Sequence, residues 1–244
     1  FTDRRKLMSD SMNKARNILI TGASRGLGKA MAEHYLAQGH MVYGCSRSEK
    51  TIDDKNYAHF EVDITSEDDI TAMFIALRKQ AGHLDALINN AGIASMNAFA
   101  LTPLKSFRKI FETNVQGTIR LTHALIDGML ARGSGHIVNM GSIAGLKPYA
   151  SGTAYVSSKY AVHGFSETLR LDYAGRGIRV TEIMPGLVRS GFAAQRLGDE
   201  REAKAFYDSF EQCLQPEDIA QTVLYALQQP EHVEIAQLVV LPVA

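Results

Sequence analysis

The sequence predicts an α/β fold, a doubly wound parallel sheet of about seven strands with helices on both faces. Short apolar runs alternate with segments of helical periodicity along nearly the whole chain, which is the pattern of a parallel sheet covered by helices. The first apolar run ends in a glycine-rich turn that opens a helix. No linker, repeat or low-complexity stretch interrupts the alternation, so residues 16–244 are expected to form a single Rossmann-like domain.

Two helices are predicted in the first half of the chain. Residues 26–40 carry apolar side chains at helical spacing, and Gly39 is a typical stop. Residues 66–82 begin with Ser66 as a cap and an acidic first turn, as a helix N-terminus prefers. Short apolar runs flank and separate these helices, and we expect strands at 17–24, 41–47, 59–65 and 84–92.

The second half continues the alternation. Helices are predicted at about 103–132, at 153–175 and at 216–229. Residues 187–215 are the irregular exception, and an insertion of this kind beyond the carboxyl end of a strand often covers a site. The remaining strands are predicted at 136–142, 178–186 and 236–242.

Composition excludes several classes of function. The formal net charge of zero gives no electrostatic case for nucleic acid or an anionic membrane as the main partner. Cys45 and Cys213 are too few for a disulfide framework, and no Cys/His cluster has metal-site spacing. No apolar run approaches the ~20 residues that span a bilayer. We therefore expect a cytoplasmic protein without a metal, and we expect residues 1–15 to be a tag or a disordered arm.

The turn TGASRGLG, residues 21–28, points to a dinucleotide. Gly22, Gly26 and Gly28 follow a strand and open a helix, so the backbone can approach a pyrophosphate at the positive end of that helix. A tight turn without a ligand is the alternative. The first strand-to-helix turn of a parallel sheet is the preferred dinucleotide position, which favours ligand binding.

The segment after the second strand favours the phosphorylated dinucleotide. Folds that bind NAD usually place an acidic residue there for the ribose hydroxyls, but the strand ends in Ser46 and Arg47, and the first acid, Glu49, comes only two residues later. Arg47 supplies a cation instead, and Arg25 supplies a second one inside the glycine turn. Both suit a 2′-phosphate, to which Ser46 adds a hydroxyl. The alternative is that these are two ordinary surface arginines.

Tyr155 and Lys159 stand one turn apart on the same face of the helix predicted at 153–175. Such a pair is either a catalytic acid with its charge partner or a chance feature of a surface helix. A phenol has a pKa of about 10, and a lysine cation one turn away would favour the phenolate and lower that pKa. Other residues must decide between the two interpretations.

Six motifs stand in order along the chain. They are TGASRGLG, NNAG at 89–92, Asn114 in NVQG, Ser142 in GSIAG, the Tyr155–Lys159 pair, and PGLVRS at 185–190. In this order they resemble the short-chain dehydrogenase/reductase family, in its compact single-domain branch. The resemblance spans about residues 17–242, and the Ser142–Tyr155 spacing is the usual one for the family. It favours the catalytic interpretation of the tyrosine–lysine pair.

The resemblance implies a role for each motif residue near the chemistry. Tyr155 would be the general acid in carbonyl reduction and would give its proton to the carbonyl oxygen. Ser142 would hydrogen-bond the same oxygen and orient the substrate. Lys159 would lower the pKa of the tyrosine and bind the nicotinamide ribose. Asn114 would hold a water in a relay from Lys159 to solvent.

The resemblance also assigns cofactor contacts along the chain. Asp63 and Ile64 would touch the adenine, and Asn90, Ala91 and Gly92 would line the adenosine ribose. The remaining contacts that we expect are Gly22, Ser24, Arg25, Gly26, Leu27 and Gly28 in the glycine turn, Ser46 and Arg47 at the 2′-phosphate, Tyr155 and Lys159 at the nicotinamide ribose, and Pro185, Gly186 and Val188 at the nicotinamide. Ser190 is also expected to contact the cofactor, and it stands where the family more often has threonine.

Taken together, the motifs predict an NADP(H)-dependent oxidoreductase that interconverts a ketone or aldehyde and an alcohol by hydride transfer. The expected partners are a small-molecule carbonyl or alcohol substrate and further copies of the chain, as a homodimer or homotetramer. A 3-oxoacyl-carrier-protein reductase is the alternative within the same class. A non-catalytic dinucleotide-sensing regulator is the alternative from another class, and the intact set of motif residues speaks against it.

Substrate specificity is expected to lie in 143–152 and 187–210, which follow no readable code. Apolar side chains in the second segment either contact substrate or pack the segment down. Tyr149 either lines the pocket or only precedes the helix. Tyr160 is expected to pack in the core, and His163 is expected to be a packed or solvated helix residue.

Overall fold

The computed structural model describes residues 15–243, apart from the side chains of 194–196. The tag or arm expected over residues 1–15 therefore falls almost entirely outside the described residues. Within these, seven strands form one sheet in which every adjacent pair is parallel. This confirms the predicted fold class. The strands are β1 (Asn17–Thr21), β2 (Met41–Ser46), β3 (Tyr57–Glu61), β4 (Ala86–Asn89), β5 (Gly135–Met140), β6 (Ile178–Pro185) and β7 (Gln237–Val240).

The strand order fixes where a ligand can bind. It runs β3-β2-β1-β4-β5-β6-β7, so the chain builds outward from β1 to β3 and then returns to start β4 on the other side of β1. Neighbouring strands β1 and β4 therefore mark the point where the winding direction reverses. Ligands of open parallel sheets bind beyond the carboxyl ends of the strands at this point.

Helices cover both faces of the sheet. They are α1 (Gly26–Ala37), α2 (Glu67–Ala81), α3 (Leu104–Phe111), α4 (Gly117–Arg132), α5 (Thr153–Asp172), α6 (Phe192–Leu197), α7 (Glu200–Asp208) and α8 (Pro216–Gln228). One buried cluster packs α1 and α8 on one face, and a second packs α2, α4 and α5 on the other. Within the described residues, no helix has the length and apolar character needed to cross a membrane.

The single long helix predicted at about 103–132 is interrupted in the structure. Residues Glu112–Gln116 form a π-helical segment between α3 and α4. Asn114 lies inside this segment and is buried. A π-helical turn shifts the side chains that follow it around the helix axis, and such turns are frequent at functional sites.

The third strand is displaced from its predicted position at 59–65, because β3 ends at Glu61. Asp63 explains the early end. Its Oδ1 accepts hydrogen bonds from the backbone N and the hydroxyl of Thr65, at 2.9 and 2.8 Å. An aspartate that bonds the chain two residues further on forms a turn, which is incompatible with continued strand pairing.

The segment at 187–215 is more regular than predicted, because it contains α6 and α7. Asp199 begins α7 by accepting hydrogen bonds from the backbone N of Arg201 and Glu202, at 2.6 and 2.9 Å. The two helices bury a small apolar cluster around Ala203 and Tyr207 that is separate from the two main clusters. The apolar residues of this segment therefore pack against one another. Their spacing along the sequence differs from the spacing of a helix that packs one face on the sheet.

We predict that Gly28 tolerates no side chain. A Cβ at this position would lie 2.2 Å from the carbonyl oxygen of Gly22 and 2.6 Å from Nδ2 of Asn90. Because backbone must move to relieve such contacts, Gly28→Ala should lower the free energy of unfolding by about 2 kcal/mol or more. Urea titration measures this loss.

Gly164→Ala is the matched control for that change. Position 164 is exposed on α5, and nothing lies within 4 Å of an added Cβ. Alanine should therefore stabilise the protein there by about 0.4–1 kcal/mol. Equal effects at the two glycines would contradict the steric argument.

Candidate active site

A cleft of about 550 Å³ lies beyond the carboxyl ends of the strands, and segments that follow β1 to β6 line it. Every cofactor residue named from the sequence lines this cleft except Gly28, and so do Ser142, Tyr155 and Lys159. Gly28 instead packs against the carbonyl group of Gly22 and the side chain of Asn90. Asn114 is buried and is absent from the lining. The structure thus brings the predicted cofactor residues other than Gly28, and the predicted catalytic residues other than Asn114, together in one cleft.

The glycine turn has the backbone geometry of a phosphate cradle. Gly22 and Gly26 adopt φ angles of 69° and 55°, which residues with a Cβ rarely adopt. Helix α1 begins at Gly26, and its first residues line the cleft. The N–H groups of a first helical turn have no partner within the helix, so they are available to an anion.

Arg25 and Arg47, the two cations expected at a 2′-phosphate, both line the cleft. Both are exposed, and among the described residues no carboxylate lies within 4 Å of either guanidinium. These cations are therefore not committed to ion pairs in the described part of the chain.

The side chain of Ser46 is part of a hydrogen-bond network through His59 that the sequence did not reveal. The Ser46 hydroxyl lies 3.1 Å from Nε2 of His59, and Nδ1 of His59 lies 2.8 Å from the hydroxyl of Tyr57. Only the pairing of β2 with β3 brings these residues together. No short motif contains them, so sequence reasoning had no signal for the network.

Asp63 lies at the position expected to contact adenine. Burial alone would raise the pKa of its carboxyl group, but hydrogen bonds from Thr65 and the charges of Arg47 and Lys109 outweigh burial and lower the pKa. The group is therefore a carboxylate at neutral pH and accepts hydrogen bonds only. An acceptor there is compatible with the amino group of adenine.

Tyr155 and Lys159 both face the cleft from α5. Nζ of Lys159 lies 5.7 Å from the centroid of the Tyr155 ring and donates to the carbonyl oxygen of Met140 at 2.6 Å. Burial lowers the pKa of Lys159 to about 8, against the opposing effect of the Glu182 charge. The amine is thus mostly an ammonium at neutral pH, and a cation at this distance favours the phenolate form of Tyr155.

Ser142 is fixed by a local turn immediately after β5. Its Oγ accepts a hydrogen bond from the backbone N of Ala144 at 3.1 Å, which caps a short 3₁₀ helix at Ile143–Gly145. A hydroxyl that accepts one bond can still donate its own hydrogen. The Ser142 hydroxyl is therefore oriented and able to donate to a substrate oxygen.

The side chain of Asn114 ties the chain after β4 to helix α5. Its Oδ1 accepts from the backbone N of Ile93 at 2.8 Å, and its Nδ2 donates to the Ile93 carbonyl oxygen and to Oγ of Ser158. Ser158 in turn donates to the carbonyl oxygen of Tyr155 at 2.7 Å. The backbone carbonyl of Asn114 accepts from Thr118 and has a second lone pair, which makes it the more suitable group for a relay water.

A buried acid–histidine pair lies close to Lys159, and no motif contains it. Glu182 on β6 is fully buried, and its Oε2 accepts a hydrogen bond from Nδ1 of His163 at 2.8 Å. The sequence-based view of His163 as merely packed or solvated overlooks this bond. A glutamate inside the apolar run IRVTEIMP was the available signal, together with a histidine one turn after Lys159.

Aromatic side chains line the cleft on the side of Tyr155. The ring of Phe192 lies 5.7 Å from the ring of Tyr155, and Tyr149, Phe206 and Tyr207 also line the cleft. Tyr160 does not pack in the core as expected. It is 42% exposed and donates its hydroxyl to the carbonyl oxygen of Leu146 at 2.8 Å.

The family model described as short chain dehydrogenase matches residues 16–201. The chain belongs to this family. The family predicted from the motifs is therefore confirmed. The family was predicted from six motifs in order along the sequence, which run from the glycine turn to PGLVRS.

Curated relatives cover almost the whole chain. A protein of Escherichia coli O6:H1 named NADP-dependent 3-hydroxy acid dehydrogenase YdfG is 34% identical over 235 residues, covering 93% of this chain and 94% of its own. A probable NADP-dependent dehydrogenase of Haemophilus influenzae is 35% identical, covering 95% of both chains.

Solved structures extend the likeness to three dimensions. The closed form of serine dehydrogenase complexed with NADP⁺ is 33% identical to this short-chain dehydrogenase, with a TM-score of 0.88 over 91% of this chain and 93% of its own. A ligand-free aldohexose dehydrogenase of Thermoplasma acidophilum is 26% identical, with a TM-score of 0.85 over 95% of this chain and 94% of its own.

We predict that burial of Lys159 makes stability depend on pH. Its pKa is about 8 in the folded protein, against 10.5 for a lysine side chain that is fully exposed to water, so the unfolded chain binds more protons between these values. Stability must rise with pH across that window, with a slope of up to about 1.4 kcal/mol per pH unit.

The neutral variant Lys159→Met isolates this contribution. The difference in unfolding free energy, wild type minus variant, should increase as pH rises from 8 to 10. Both proteins should also carry Tyr155→Phe, because the pKa of that phenol depends on Lys159, and the buried Cys45 thiol is then common to both and cancels in the difference. A difference that stays constant with pH would show that the lysine has an ordinary pKa.

Proposed function

We propose that this short-chain dehydrogenase is an NADP(H)-dependent oxidoreductase that interconverts a ketone or aldehyde and an alcohol, with Tyr155 as the acid and base. One observation carries the proposal: Ser142, Tyr155 and Lys159 line the same cleft as the glycine turn and the two arginines. Neither half of this arrangement is informative alone. Together they support proton donation to a substrate that is held beside a dinucleotide.

The residues that line the cleft fit NADP(H). The positive φ angles of Gly22 and Gly26 shape a turn for the pyrophosphate, and Arg25 and Arg47 supply charge for the 2′-phosphate. The segment from Pro185 to Val188 also lines the cleft, and we place the nicotinamide beside it. Ser190 lies next to the glycine turn, where its Cβ is 4.0 Å from the position of a Cβ on Gly26. NADP(H), when bound, supplies the hydride for reduction and accepts it in oxidation.

The protein's own groups manage the proton and the orientation of the substrate. In reduction, Tyr155 donates its hydroxyl proton to the carbonyl oxygen as that oxygen gains electron density. Ser142 donates a hydrogen bond to the same oxygen and fixes its position. Lys159 holds a positive charge beside the phenolate that remains, which lowers the free energy of the charged state. In oxidation the same groups act in reverse.

Relatives guide the choice of substrates to test. The names of the relatives mention 3-hydroxy acids, serine and aldohexose, all of which carry a hydroxyl group beside further polar groups. We therefore place small hydroxy acids and their oxo forms first in a substrate panel. Loss of NADPH absorbance at 340 nm reports turnover for every carbonyl in that panel.

The cellular setting and assembly are parts of the proposal. Both cysteines are free, which is compatible with a reducing cytoplasm. We infer that residues 16–244 form a single catalytic domain, since two main clusters pack on one continuous sheet. We also propose a homodimer or homotetramer, for which sedimentation velocity is the direct measurement.

We predict that Tyr155→Phe abolishes most of the turnover and leaves cofactor binding intact. The change removes only the hydroxyl group, so the contacts of the ring with Phe192 are kept. Loss of general acid catalysis should lower kcat by about 10²–10⁴-fold. Fluorescence titration with NADPH should give a dissociation constant within about threefold of wild type. Near-normal kcat in the variant would refute the role of Tyr155.

We predict a cofactor preference that depends on Arg47. Two charge-assisted contacts, each held near the low end of about 1.5–3 kcal/mol by solvent, correspond to a preference for NADPH of roughly a hundredfold. Arg47→Asp should weaken the binding of NADPH and reduce the discrimination against NADH. The ratio of kcat/KM for the two cofactors measures both effects.

Arg176→Asp is the matched control for Arg47. Arg176 is also exposed, but it lies in the loop before β6, at the amino ends of the strands, whereas the cleft lies beyond their carboxyl ends. The same change of charge there should leave the cofactor ratio unchanged. Two results would overturn the assignment: equal use of NADH and NADPH by wild type, or an unchanged ratio in Arg47→Asp.

A further inference from the structure

Glu182 is an unusual residue for the interior of a parallel sheet. Its side chain has no exposure to solvent, and its neighbours on β6 are buried as well. Only one of its two oxygens has a partner among the described residues, because Oε1 is buried without a hydrogen bond. Burial of a carboxyl group in such a place lowers the stability of the fold, so the contacts of Glu182 should show what function it serves.

The carboxylate lies directly behind the catalytic segment. A Cβ on Gly141, the residue before Ser142, would lie 2.3 Å from Oε1 of Glu182. The residue before Gly141 is Met140, whose carbonyl oxygen accepts the hydrogen bond from Lys159. Glu182 and Lys159 therefore reach two consecutive residues at the end of β5, one from β6 and the other from α5.

His163 favours the ionised form of the acid. It lies one turn after Lys159 on α5, is partly exposed, and donates Nδ1–H to Oε2 of Glu182 at 2.8 Å. Burial raises the pKa of Glu182 above its ordinary value, and His163, Lys159 and Arg170 oppose that rise only in part. The exposed edge of His163 faces Glu167 at 3.8 Å, which is too long for a strong ion pair.

We propose that the Glu182–His163 pair is a positioning device for the reaction, in which a buried negative charge behind Lys159 keeps the ammonium protonated and directed at the cleft. This rests on the proposed role of Lys159 beside Tyr155. An opposite charge in the interior favours the charged form of its partner, and burial alone works against that form. Glu182 and His163 touch neither substrate nor cofactor and act only through Lys159.

The decisive measurement is the pKa of Lys159 itself. Competitive labelling with acetic anhydride across pH, read by peptide mass spectrometry, reports the fraction of neutral amine without requiring turnover. Glu182→Gln keeps the size of the side chain and removes its charge. The pKa of Lys159 should fall by about one unit or more in this variant. The alkaline limb of the kcat profile for carbonyl reduction should move to lower pH with it.

Variants of His163 test the second member of the pair. Asparagine places an amide N–H near the position of Nδ1, so His163→Asn should keep Glu182 ionised and leave the Lys159 pKa close to the wild-type value. His163→Leu removes the donor and should resemble Glu182→Gln. It also serves as the second variant if Glu182→Gln fails to fold. Glu167→Gln removes a charge from the exposed side of His163 and should change little.

Distinct outcomes separate this inference from the proposed function. An unchanged Lys159 pKa in Glu182→Gln and His163→Leu, with only a lower melting temperature, would overturn the inference and leave Glu182 as a structural tie. Full turnover in Tyr155→Phe would instead overturn the proposed chemistry, while labelling would still decide whether Glu182 acts on Lys159. A Lys159 pKa that falls in both variants, together with the shifted kcat profile, supports the device.

Discussion

The whole site depends on the hydrogen bonds that connect the carboxyl ends of β1 and β4, where the two chain segments leave the sheet. Oγ1 of Thr21 accepts hydrogen bonds from the backbone N of Asn90 and Ala91, at 2.9 and 2.8 Å. In return, Nδ2 of Asn90 donates to the carbonyl oxygen of Thr21 at 2.8 Å. These bonds satisfy backbone groups that lose their sheet partners at the switch point. They also press Asn90 against Gly22 and Gly28, so the turn that shapes the cofactor site must be made of glycine.

A buried polar layer then sets the position of the catalytic helix. Nδ2 of Asn89 donates to Oδ1 of Asn139 at 2.9 Å, and Nδ2 of Asn139 donates to Oγ of Ser166 on α5 at 2.9 Å. Unsatisfied polar groups are costly in the interior, so α5 can slide along the sheet only by breaking these bonds. Helix α5 carries Tyr155 and Lys159 at its other end. The network therefore holds the proton donor in register with Ser142 on the neighbouring β5 segment.

The sequence predicted those parts of the molecule that local rules determine. Alternating apolar runs gave the order of strands and helices, and glycines at positions of positive φ gave the cofactor turn. The bounds of β3 escaped prediction because a side-chain bond of Asp63, and not apolar content, ends the strand. The side-chain contacts of Asn114 escaped as well, since its amide bonds Ile93 and Ser158, far away in sequence. Contacts that depend on the pairing of separate segments leave no local pattern in the sequence. The Tyr57–His59–Ser46 network is one example.

The electrostatics of the catalytic end follow from a conflict that the fold builds in. Lys159 must be buried to lie beside Tyr155 under the cover of Phe192, yet burial favours the neutral amine. A hydrogen bond to Met140 satisfies one of three N–H donors and adds no charge. Glu182 supplies the missing negative charge, and it needs His163 because a second buried charge without a partner would raise the same difficulty again. Lys159 is followed by Glu182 and Glu182 by His163, which is the residue of the three that water reaches most easily. Water can therefore solvate the last charged or polar group of the series.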